Sequence, residues 1–399
     1  MSARRDFDVV IAGGGMVGAS LAALLATRPA TRGLRIALVD PKPVFPPLAG
    51  EPLDLRVSAL SHAGRRLCEE VGAWPHIAAR HAAAYERMIV WDAASPPTGP
   101  DTLVFDAAEV GEPDLGHIVE NRSVAAALGD RARALGVTMM SAPLTGATLG
   151  ADRAQVELAG RSLTTGLVVA ADGADSPLRQ LAGIAGEPVP YPQAAVVCHL
   201  ATEQPHGGAA RQRFLSTGPL ALLPLADGRV SLVWSTTPDE AASLVALDDA
   251  AFAAAVTAAS AGVLGALRPT TPRMHFPLRR FNAPTYAATR LVLVGDAAHT
   301  VHPLAGQGVN QGFLDVLALA DELGRALAAG EDIGDPLVLG RYARARRAAN
   351  ALMGTALDGV WRLFTNDSAI VGTGRRLGLG VVNRLGPLKR LFVERALGG

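Results

Sequence analysis

Two glycine-rich segments contain the residue types that hold phosphate and sugar groups in nucleotide-binding proteins. The first reads Gly13-Gly14-Gly15-Met16-Val17-Gly18, and the second begins at Gly295-Asp296 and continues to Gly306-Gln307-Gly308-Val309-Asn310. A single glycine motif is weak evidence for a dinucleotide. Two such motifs, far apart in one chain, predict one large cofactor that is bound at both ends. We therefore expect FAD rather than NAD.

The first motif lies between a β-branched run and a run of helix formers, which is the context that a dinucleotide-binding motif requires. Gly13 would permit the tight turn, Gly15 would let backbone N–H groups approach a pyrophosphate, and Gly18 would allow close helix–strand packing. The phosphates would lie at the helix N-terminus, where unpaired N–H groups favour negative charge. Asp40 ends a second apolar strand, roughly 20 residues past the glycines, and would bind the ribose hydroxyls.

Two other interpretations of the N-terminal region are a membrane span and a signal peptide. The run from Val9 to Ala26 is uncharged and long enough to span a bilayer. Three consecutive glycines interrupt it, however, and Asp40 ends a matching second strand. Asp6 and Asp8 also precede the apolar run, which argues against a secretory signal.

Charge and cysteine content narrow the function classes. The chain has 37 Lys and Arg residues against 37 Asp and Glu residues, so its net charge gives no reason to expect nucleic-acid binding. Cys68 and Cys198 are too few for a disulfide framework, and we expect both to be buried in a protein of a reducing compartment. His299 and His302 have no third ligand nearby in sequence, so we predict no metal site.

The order of apolar runs predicts an α/β protein in two parts. Strand and helix signals alternate in the first third, and Thr164–Ala171 and Arg290–Val294 are further buried strands. Between residues 194 and 234, short apolar runs separated by turns predict an antiparallel sheet. Ala241–Leu267 is alanine-rich and predicts a helix.

We therefore predict a split Rossmann-like FAD-binding domain with an inserted, mostly antiparallel β-sheet substrate domain and C-terminal helices. The predicted FAD-binding domain comprises 1–80, 101–180 and 276–335. The predicted substrate domain comprises 81–100 and 181–275, and the predicted C-terminal helical region is 336–399. Asp172 and Asp296 each follow a buried strand, where ligands collect in open α/β sheets.

These motifs resemble the single-component, FAD-dependent aromatic hydroxylases of the para-hydroxybenzoate hydroxylase superfamily. Within that superfamily, the chain is more closely similar to the ubiquinone-biosynthesis ring hydroxylases, and the likeness covers nearly the whole chain. The closer likeness is carried by Asp54–Ser61, Ile118–Arg122, Gly218–Leu225, Ser231–Ser235 and His302–Asn310.

The resemblance implies a set of cofactor-binding residues. These are Gly13, Gly15, Val17, Gly18, Asp40, Arg56, Asn121, Asp172, Gly295, Asp296, Gly306, Gln307, Gly308, Val309 and Asn310. Asp296 matches the residue that contacts the ribityl chain, and Asp172 matches one close to the cofactor and to the route of the nicotinamide donor. Arg56 matches an arginine near the flavin, although a surface salt bridge is the alternative interpretation.

The catalytic residues implied by the resemblance are Arg56, His302, Pro303 and Gly306. The segment from Pro303 to Gly308 matches a loop along the flavin face, where backbone groups face the reacting oxygen. His302 is either a nearby acid or base or a histidine satisfied by a backbone carbonyl. In the implied reaction NADPH or NADH reduces the flavin, with a ferredoxin-type donor as the alternative. Dioxygen then forms a flavin C4a-hydroperoxide, which an electron-rich phenol attacks.

The implied substrate is a prenylated phenol, which needs an apolar channel beside a polar ring site. The predicted substrate contacts are Leu222, Trp234, Phe276 and Pro303. The segments that contain Leu222, Trp234 and Phe276 could instead pack in the protein core. Other readings of the whole chain are a hydroxylase of another aromatic compound, a flavin reductase or dehydrogenase that does not activate oxygen, and a non-enzymatic FAD-binding subunit.

The last 28 residues combine positive charge with apolar residues. From Gly372 to Gly399 there are six basic residues against Glu394, namely Arg375, Arg376, Arg384, Lys389, Arg390 and Arg395. A basic amphipathic segment of this kind rests on anionic lipid or docks on protein. We expect a cytoplasmic protein, with peripheral contact to the inner face of the membrane or to a biosynthetic complex. The oligomeric state is left open.

Overall fold

The computed structural model describes residues 5–42, 44–47, 50–302 and 307–364. The helices are α1 (Met16–Thr27), α2 (His62–Glu70), α3 (Trp74–His81), α4 (Asn121–Ala134), α5 (Pro177–Leu181), α6 (Pro238–Ala246), α7 (Asp249–Ala259), α8 (Gln307–Ala328) and α9 (Pro336–Phe364). Two short 3₁₀ turns are Ala107–Val110 and Gly295–Ala297.

The strands form three sheets. They are β1 (Phe7–Ala12), β2 (Ile36–Val39), β3 (Val57–Leu60), β4 (Ala83–Ala84), β5 (Arg87–Asp92), β6 (Leu103–Asp106), β7 (His117–Glu120), β8 (Thr138–Met140), β9 (Leu144–Leu149), β10 (Ala154–Leu158), β11 (Arg161–Ala170), β12 (Val189–Thr202), β13 (Ala209–Leu215), β14 (Gly218–Pro224), β15 (Val230–Thr236), β16 (Leu267–Pro269), β17 (Met274–Asn282), β18 (Ala287–Ala288), β19 (Leu291–Leu293) and β20 (His299–Thr300).

The first sheet has the order β18-β19-β11-β1-β2-β8, in which the strands from β19 to β8 are parallel and β18 is antiparallel to β19. Strands β10 and β9 extend the sheet antiparallel from β11. Helices α1 and α8 pack on it, and Val9, Val10 and Ile11 are fully buried. Strands covered on both faces need continuous apolar runs, which is why β1 and β19 contain no polar residue between Val9 and Ala12 or between Leu291 and Leu293.

The second sheet has the order β20-β17-β12-β15-β14-β13-β5-β6 and is antiparallel except for the pairing of β13 with β5. Its strands alternate in burial. Leu222, Leu232 and Trp234 belong to one face, which packs with Phe252 and Val256 of α7. The opposite face is therefore the one turned towards the rest of the molecule.

The third sheet is small, with the order β3-β7-β4. Strands β3 and β7 are antiparallel, and Val57 pairs with Glu120. Arg56 precedes β3 and Asn121 follows β7, so this pairing brings the two residues to the same end of the sheet. The Asn121 N–H donates to the Arg56 carbonyl at 3.0 Å.

Helix α9 connects the two large sheets. Near its start the Tyr342 hydroxyl donates to the Leu293 carbonyl at 2.9 Å, and near its end Asp358 pairs with Arg280 of β17 at 2.8 Å. Leu357 packs beside Phe214 of β13. No helix in the described ranges is long and apolar enough to cross a membrane.

The predicted fold class is confirmed: an α/β nucleotide-binding sheet with a second, mostly antiparallel sheet and C-terminal helices. The predicted domain boundaries remain a proposal. Because β6 and β17 pair within the second sheet, we would now assign Leu103–Asp106 and Met274–Asn282 to that part. The helical structure predicted for Ala241–Leu267 is present in α6 and α7, which are separate helices because Asp248 caps α7, and β16 begins at Leu267.

Candidate active site

The glycines of the first motif lie at the carboxyl end of β1, and each has different surroundings. Gly13 has φ +106°, and a Cβ there would lie 2.1 Å from the Ala171 carbonyl oxygen. A Cβ on Gly18 would lie 1.9 Å from the Gly13 carbonyl oxygen. A Cβ on Gly15, by contrast, would meet nothing within 4 Å. Gly13 and Gly18 thus serve the fold, whereas Gly15 borders open space at the start of α1.

Asp40 lies at the end of β2, beside the same turn. Its Oδ2 accepts a hydrogen bond from the Gly14 N–H at 2.6 Å, and its Oδ1 accepts one from the Lys42 N–H at 2.7 Å. These bonds fix the half-buried carboxylate next to the glycine turn. The contact with a ribose stays a prediction, and the position of Asp40 is compatible with it.

Val17 joins the two motifs. A Cβ on Gly295 would lie 3.1 Å from a Val17 methyl carbon, and a Cβ on Gly312 would lie 2.6 Å from one. The side chain of Val17 therefore fills the gap that these two glycines leave. The glycine turn at the start of the chain and the turn at Gly295–Ala297 are thereby held against each other, as one cofactor with two binding ends requires.

Asp296 lies in a cleft. Its side chain is exposed, yet the surrounding protein reduces its hydration and raises the pKa of its carboxyl group. Interactions with His299, Arg56 and Arg279 offset part of this effect. A carboxylate that is open to solvent but enclosed by protein is placed to bind a ligand's hydroxyl groups.

Behind this turn lies a buried network centred on Asp315 of α8. Its Oδ2 accepts hydrogen bonds from the Gly295 N–H at 3.0 Å and from the His299 Nε2 at 2.5 Å. Its Oδ1 accepts from Arg346 at 2.7 Å and Asn350 at 3.1 Å. Burial alone would raise the pKa of Asp315, but His299 and Arg346 outweigh it and hold the pKa below its ordinary value. The network fixes the backbone that carries Asp296.

Two of the predicted cofactor-binding side chains each have a buried oxygen that faces no donor within the described ranges. These oxygens are Oδ1 of Asn121 and Oδ1 of Asp172. The second oxygen of Asp172 accepts from the Leu178 N–H at 3.1 Å, and burial raises the pKa of this carboxyl. A buried acceptor without a donor costs about 1–3 kcal/mol. Hydroxyl or N–H groups of a bound FAD would satisfy both oxygens, so these residues fit the cofactor.

Arg56 is exposed at the edge of the same region. Among the residues that the structure describes, its guanidinium has no ion-pair partner, so the alternative of a surface salt bridge finds no support. Its positive charge acts on Asp296, which places the two side chains near each other. The role in catalysis stays a prediction.

The predicted flavin-facing loop falls mostly outside the described residues, because these do not include Pro303 and Gly306. Gln307 and Gly308 begin α8, and a Cβ on Gly308 would meet nothing within 4 Å. Val309 packs against the first sheet's core. The Asn310 amide donates to the Ala59 carbonyl at 2.8 Å, so Asn310 ties α8 to β3.

His302 is buried, with 1% of its surface exposed. Its Nε2 bonds the Gln193 side-chain oxygen at 3.0 Å, and its ring meets the Tyr191 ring edge to face at 5.0 Å. The expected backbone carbonyl partner is therefore replaced by a side-chain amide. Burial lowers the pKa of His302 to about 4, so the ring is neutral at physiological pH.

Two of the predicted substrate contacts lie on the wrong face of the second sheet. Leu222 and Trp234 are buried in the core against α6 and α7, which agrees with the core-packing alternative and rules out contact with the substrate. The opposite face carries Val197, Ala221 and Val233 on interior strands, yet all three are partly exposed. Accessible space therefore lies in front of them.

Phe276 lies at the edge of this same face. It pairs with Ala195 and is 45% exposed, so it stays a proposed substrate contact. Pro303 falls outside the described residues.

Sequence analysis did not identify Gln193, because its importance depends on a contact with a residue more than 100 positions away. Within the described ranges no group of three His, Cys, Asp or Glu side chains could hold a metal ion.

The fold and these two joined motifs define a flavoprotein of the aromatic-hydroxylase type, and comparison with known proteins agrees. The FAD binding domain family matches residues 6–354, so the chain belongs to this family. PqsL of P. aeruginosa, solved with 2-aminobenzoylacetate, is 25% identical and has a TM-score of 0.75, covering 94% of this chain and 99% of its own.

Curated relatives are similar over their full length. Ubiquinone hydroxylase UbiL of Rhodospirillum rubrum is 38% identical over 400 residues, covering 100% of this chain and 91% of the relative. The 3-demethoxyubiquinol 3-hydroxylase of Escherichia coli is 36% identical over 394 residues, covering 98% of each chain.

Proposed function

We propose that this protein is an FAD-dependent monooxygenase that hydroxylates the aromatic ring of a prenylated phenol in ubiquinone biosynthesis. The observation that carries the proposal is its likeness to ubiquinone hydroxylases over the whole chain, at 38% identity for the Rhodospirillum rubrum protein. The geometry supports it because one cleft joins two nucleotide motifs and adjoins open space on the second sheet.

Each of the predicted cofactor-binding residues would bind a different part of FAD. The N–H groups at the start of α1 and the open side of Gly15 would receive the pyrophosphate. Asp40 would bind the ribose, Asp296 the ribityl hydroxyls, and Asn121 a polar group of the flavin. Bound FAD supplies the electron transfer and oxygen activation that ring hydroxylation needs.

The protein's remaining contribution is to orient the ring and exclude water. The face of the second sheet that carries Val197, Ala221 and Val233 offers an apolar surface opposite the cleft. An apolar wall suits a prenylated ring, and it limits the access of water to reactive groups. We propose NADPH or NADH as the electron donor and dioxygen as co-substrate. Anaerobic bleaching of the flavin by each nucleotide would check the donor, and a ferredoxin is the alternative if neither bleaches it.

The pathway is tested by the quinone lipids of a strain that lacks the gene, measured by mass spectrometry. We expect a ubiquinone deficit with an accumulated prenylated intermediate that lacks one ring oxygen. Restoration by the wild-type gene and not by a FAD-binding variant is the control. A normal profile in the deletion strain, with no second hydroxylase gene to compensate, would direct the assignment to another aromatic substrate.

The cofactor assignment is tested by Asp296→Ala. We expect the purified variant to lose FAD or to bind it more weakly, because the cleft then lacks its acceptor for ribityl hydroxyls. Flavin content per chain, read from the absorbance spectrum, is the measurement. Asp239→Ala, an exposed change in α6 of the second sheet, is the matched control. Equal flavin content in Asp296→Ala and the control would contradict the assignment.

The basic C-terminal segment lies outside the described residues, and we propose from its sequence that it contacts anionic lipid, which would place the protein on the inner face of the membrane. Flotation with anionic liposomes before and after truncation at Gly372 would test this. Loss of flotation on truncation is expected. Equal flotation would end the lipid proposal and leave docking on a partner protein.

A further inference from the structure

The hydrogen bonds around His302 determine which ring nitrogen carries the proton. The Gln193 side-chain N–H donates to the Thr217 carbonyl at 2.5 Å, so the amide oxygen of Gln193 is the atom that faces His302. That oxygen can only accept, and it lies 3.0 Å from Nε2. Nε2 of His302 therefore carries the hydrogen, and in the neutral ring Nδ1 is left as an acceptor.

Nδ1 of His302 has no donor within the part of the chain that the structure describes, although the residue is only 1% exposed. The ring of Tyr191 contacts the imidazole edge to face, and the Tyr191 hydroxyl donates its hydrogen to Asp358 rather than to Nδ1. Buried acceptors almost always have a donor. The missing donor is thus expected from a bound molecule.

Apolar side chains lie on the sheet face that carries Gln193, the partner of His302. Gln193 and Val197 lie on the same face of β12, and cross-strand pairing places Val197 next to Val233 and Val233 next to Ala221. These three side chains are partly exposed although their strands lie inside the sheet. Three accessible apolar side chains and an acceptor without a donor together fit an aromatic ring that carries one hydrogen-bond donor.

We propose that Nδ1 of His302 accepts a hydrogen bond from the phenolic hydroxyl of the substrate while the ring lies against Val197, Ala221 and Val233. The proposal rests on the proposed function, since it assumes a phenol. The hydrogen bond fixes which edge of the substrate ring faces His302 and therefore which ring carbons point away from it. It also increases electron density on the phenolic oxygen and the ring, which favours attack on an electrophilic oxygen.

The test compares 2-prenylphenol with its methyl ether, which lacks only the donor hydrogen. Dissociation constants are measured on the oxidised holoenzyme by the change in flavin absorbance, so no turnover is needed. We expect wild-type protein to bind the phenol about tenfold more tightly than the ether. His302→Gln keeps a donor towards Gln193 but lacks an acceptor at the Nδ1 position, and it should bind both compounds equally.

His302→Asn is the complementary variant, because its side-chain oxygen lies near the former Nδ1 while the bond to Gln193 is lost. It should keep a preference for the phenol even if it is less stable. His275→Gln, an exposed change on the same sheet, is the control and should match wild type. A purely structural His302 predicts the reverse order, with His302→Gln behaving like wild type and His302→Asn impaired.

The outcomes separate the two levels of inference. Equal binding of both compounds by wild type, or an undiminished preference in His302→Gln, would overturn the role of His302 and leave the proposed function standing. Failure of wild type to bind either compound would overturn the phenol as substrate class, and the role of His302 with it.

Discussion

Gly15 differs from the other glycines of its motif because it is not required by the protein's own packing. Gly13 and Gly18 are close to backbone oxygens, and any side chain there would displace the chain. Gly15 caps α1 with φ −68°, a backbone conformation open to every residue, and a Cβ would meet no atom. A glycine at this position is explained by the bound pyrophosphate and not by packing. A substitution of Gly15 should therefore change cofactor affinity without changing the stability of the fold.

Gly15→Ala should leave the unfolding free energy of the FAD-free protein within about 0.5 kcal/mol of wild type. Its FAD affinity should fall, because the added methyl occupies the space of the pyrophosphate. Urea unfolding and flavin-fluorescence titration are the two measurements. Gly129→Ala on α4, where a Cβ also meets nothing, should bind FAD normally and gain about 0.5–1 kcal/mol. An unaltered FAD affinity in Gly15→Ala would remove the pyrophosphate from this position.

Single residues were predictable from sequence where a local motif carries them. Asp296 and Asp172 follow strands that end in glycine turns, and both lie where the motif indicated. Asp315 and Gln193 could not be found in this way. Their partners Arg346 and His302 are distant in the chain, and a lone Asp in a helix or a lone Gln in a strand has no distinctive pattern.

At the scale of the strand, one residue of register decides which side chain reaches the substrate space. The apolar runs of β14 and β15 correctly predicted an antiparallel sheet, but an apolar run does not reveal which of its two faces is covered by helices. Leu222 and Trp234 face α6 and α7, whereas their neighbours Ala221 and Val233 face the cleft side. Small residues on that face leave the space that the larger ones fill on the other.

Ala221→Leu and Leu222→Ala should therefore have opposite effects. Ala221→Leu should weaken binding of 2-prenylphenol by about tenfold, or about 1.4 kcal/mol, with little change in stability. Leu222→Ala should cost about 2–5 kcal/mol of unfolding free energy, because it opens a cavity in a packed core. Urea denaturation and flavin-absorbance titration distinguish the two. If Leu222→Ala were stable and lost substrate affinity, our assignment of the faces would be reversed.

Helices α8 and α9 are held together through a charge that is completely buried. Asp315 has no exposed surface, and Arg346 on α9 forms an ion pair with it. Removing one partner of a buried pair leaves the other charge uncompensated, which costs about 3–5 kcal/mol.

Arg346→Met should lower the unfolding free energy by about that amount, with urea denaturation as the measurement. Arg133→Met removes an exposed pair with Asp130 on α4 and should change it by less than about 1 kcal/mol. Similar small effects of both changes would mean that the Asp315 network contributes little to stability.

For the molecule as a whole, buried histidines contribute to the loss of stability in acid, together with carboxyl groups of lowered pKa such as Asp315 and Asp332. Burial lowers the pKa of His117, His199 and His302, in the last case from 6.5 to about 4. Between these values the unfolded chain binds protons that the native protein does not, so unfolding becomes easier as the pH falls. The raised pKa values of Asp172 and Asp296 act in the opposite direction.

The His302 contribution is isolated by comparing wild type with His302→Gln at several pH values. Wild-type protein should lose up to about 3 kcal/mol more unfolding free energy than the variant between pH 6.5 and pH 4. His76→Gln, an exposed change on α3, should follow wild type. Parallel pH profiles for wild type and His302→Gln would show that His302 is not held neutral.

The order of the strands has a consequence during synthesis. Strand β11 pairs with β1 on one side and with β10 over the first half of its other side, but β19, which pairs with Val168–Ala170, is made more than 100 residues later. The side chain of Val17 likewise has no packing partner until Gly295 and Gly312 have been synthesised. At about 5–20 residues per second, ribosomes need roughly 15–60 seconds to go from the first glycine turn to the second. The nascent chain therefore carries an open, apolar edge at the end of β11 until β19 is made, and the cofactor can be captured only as the last helices emerge.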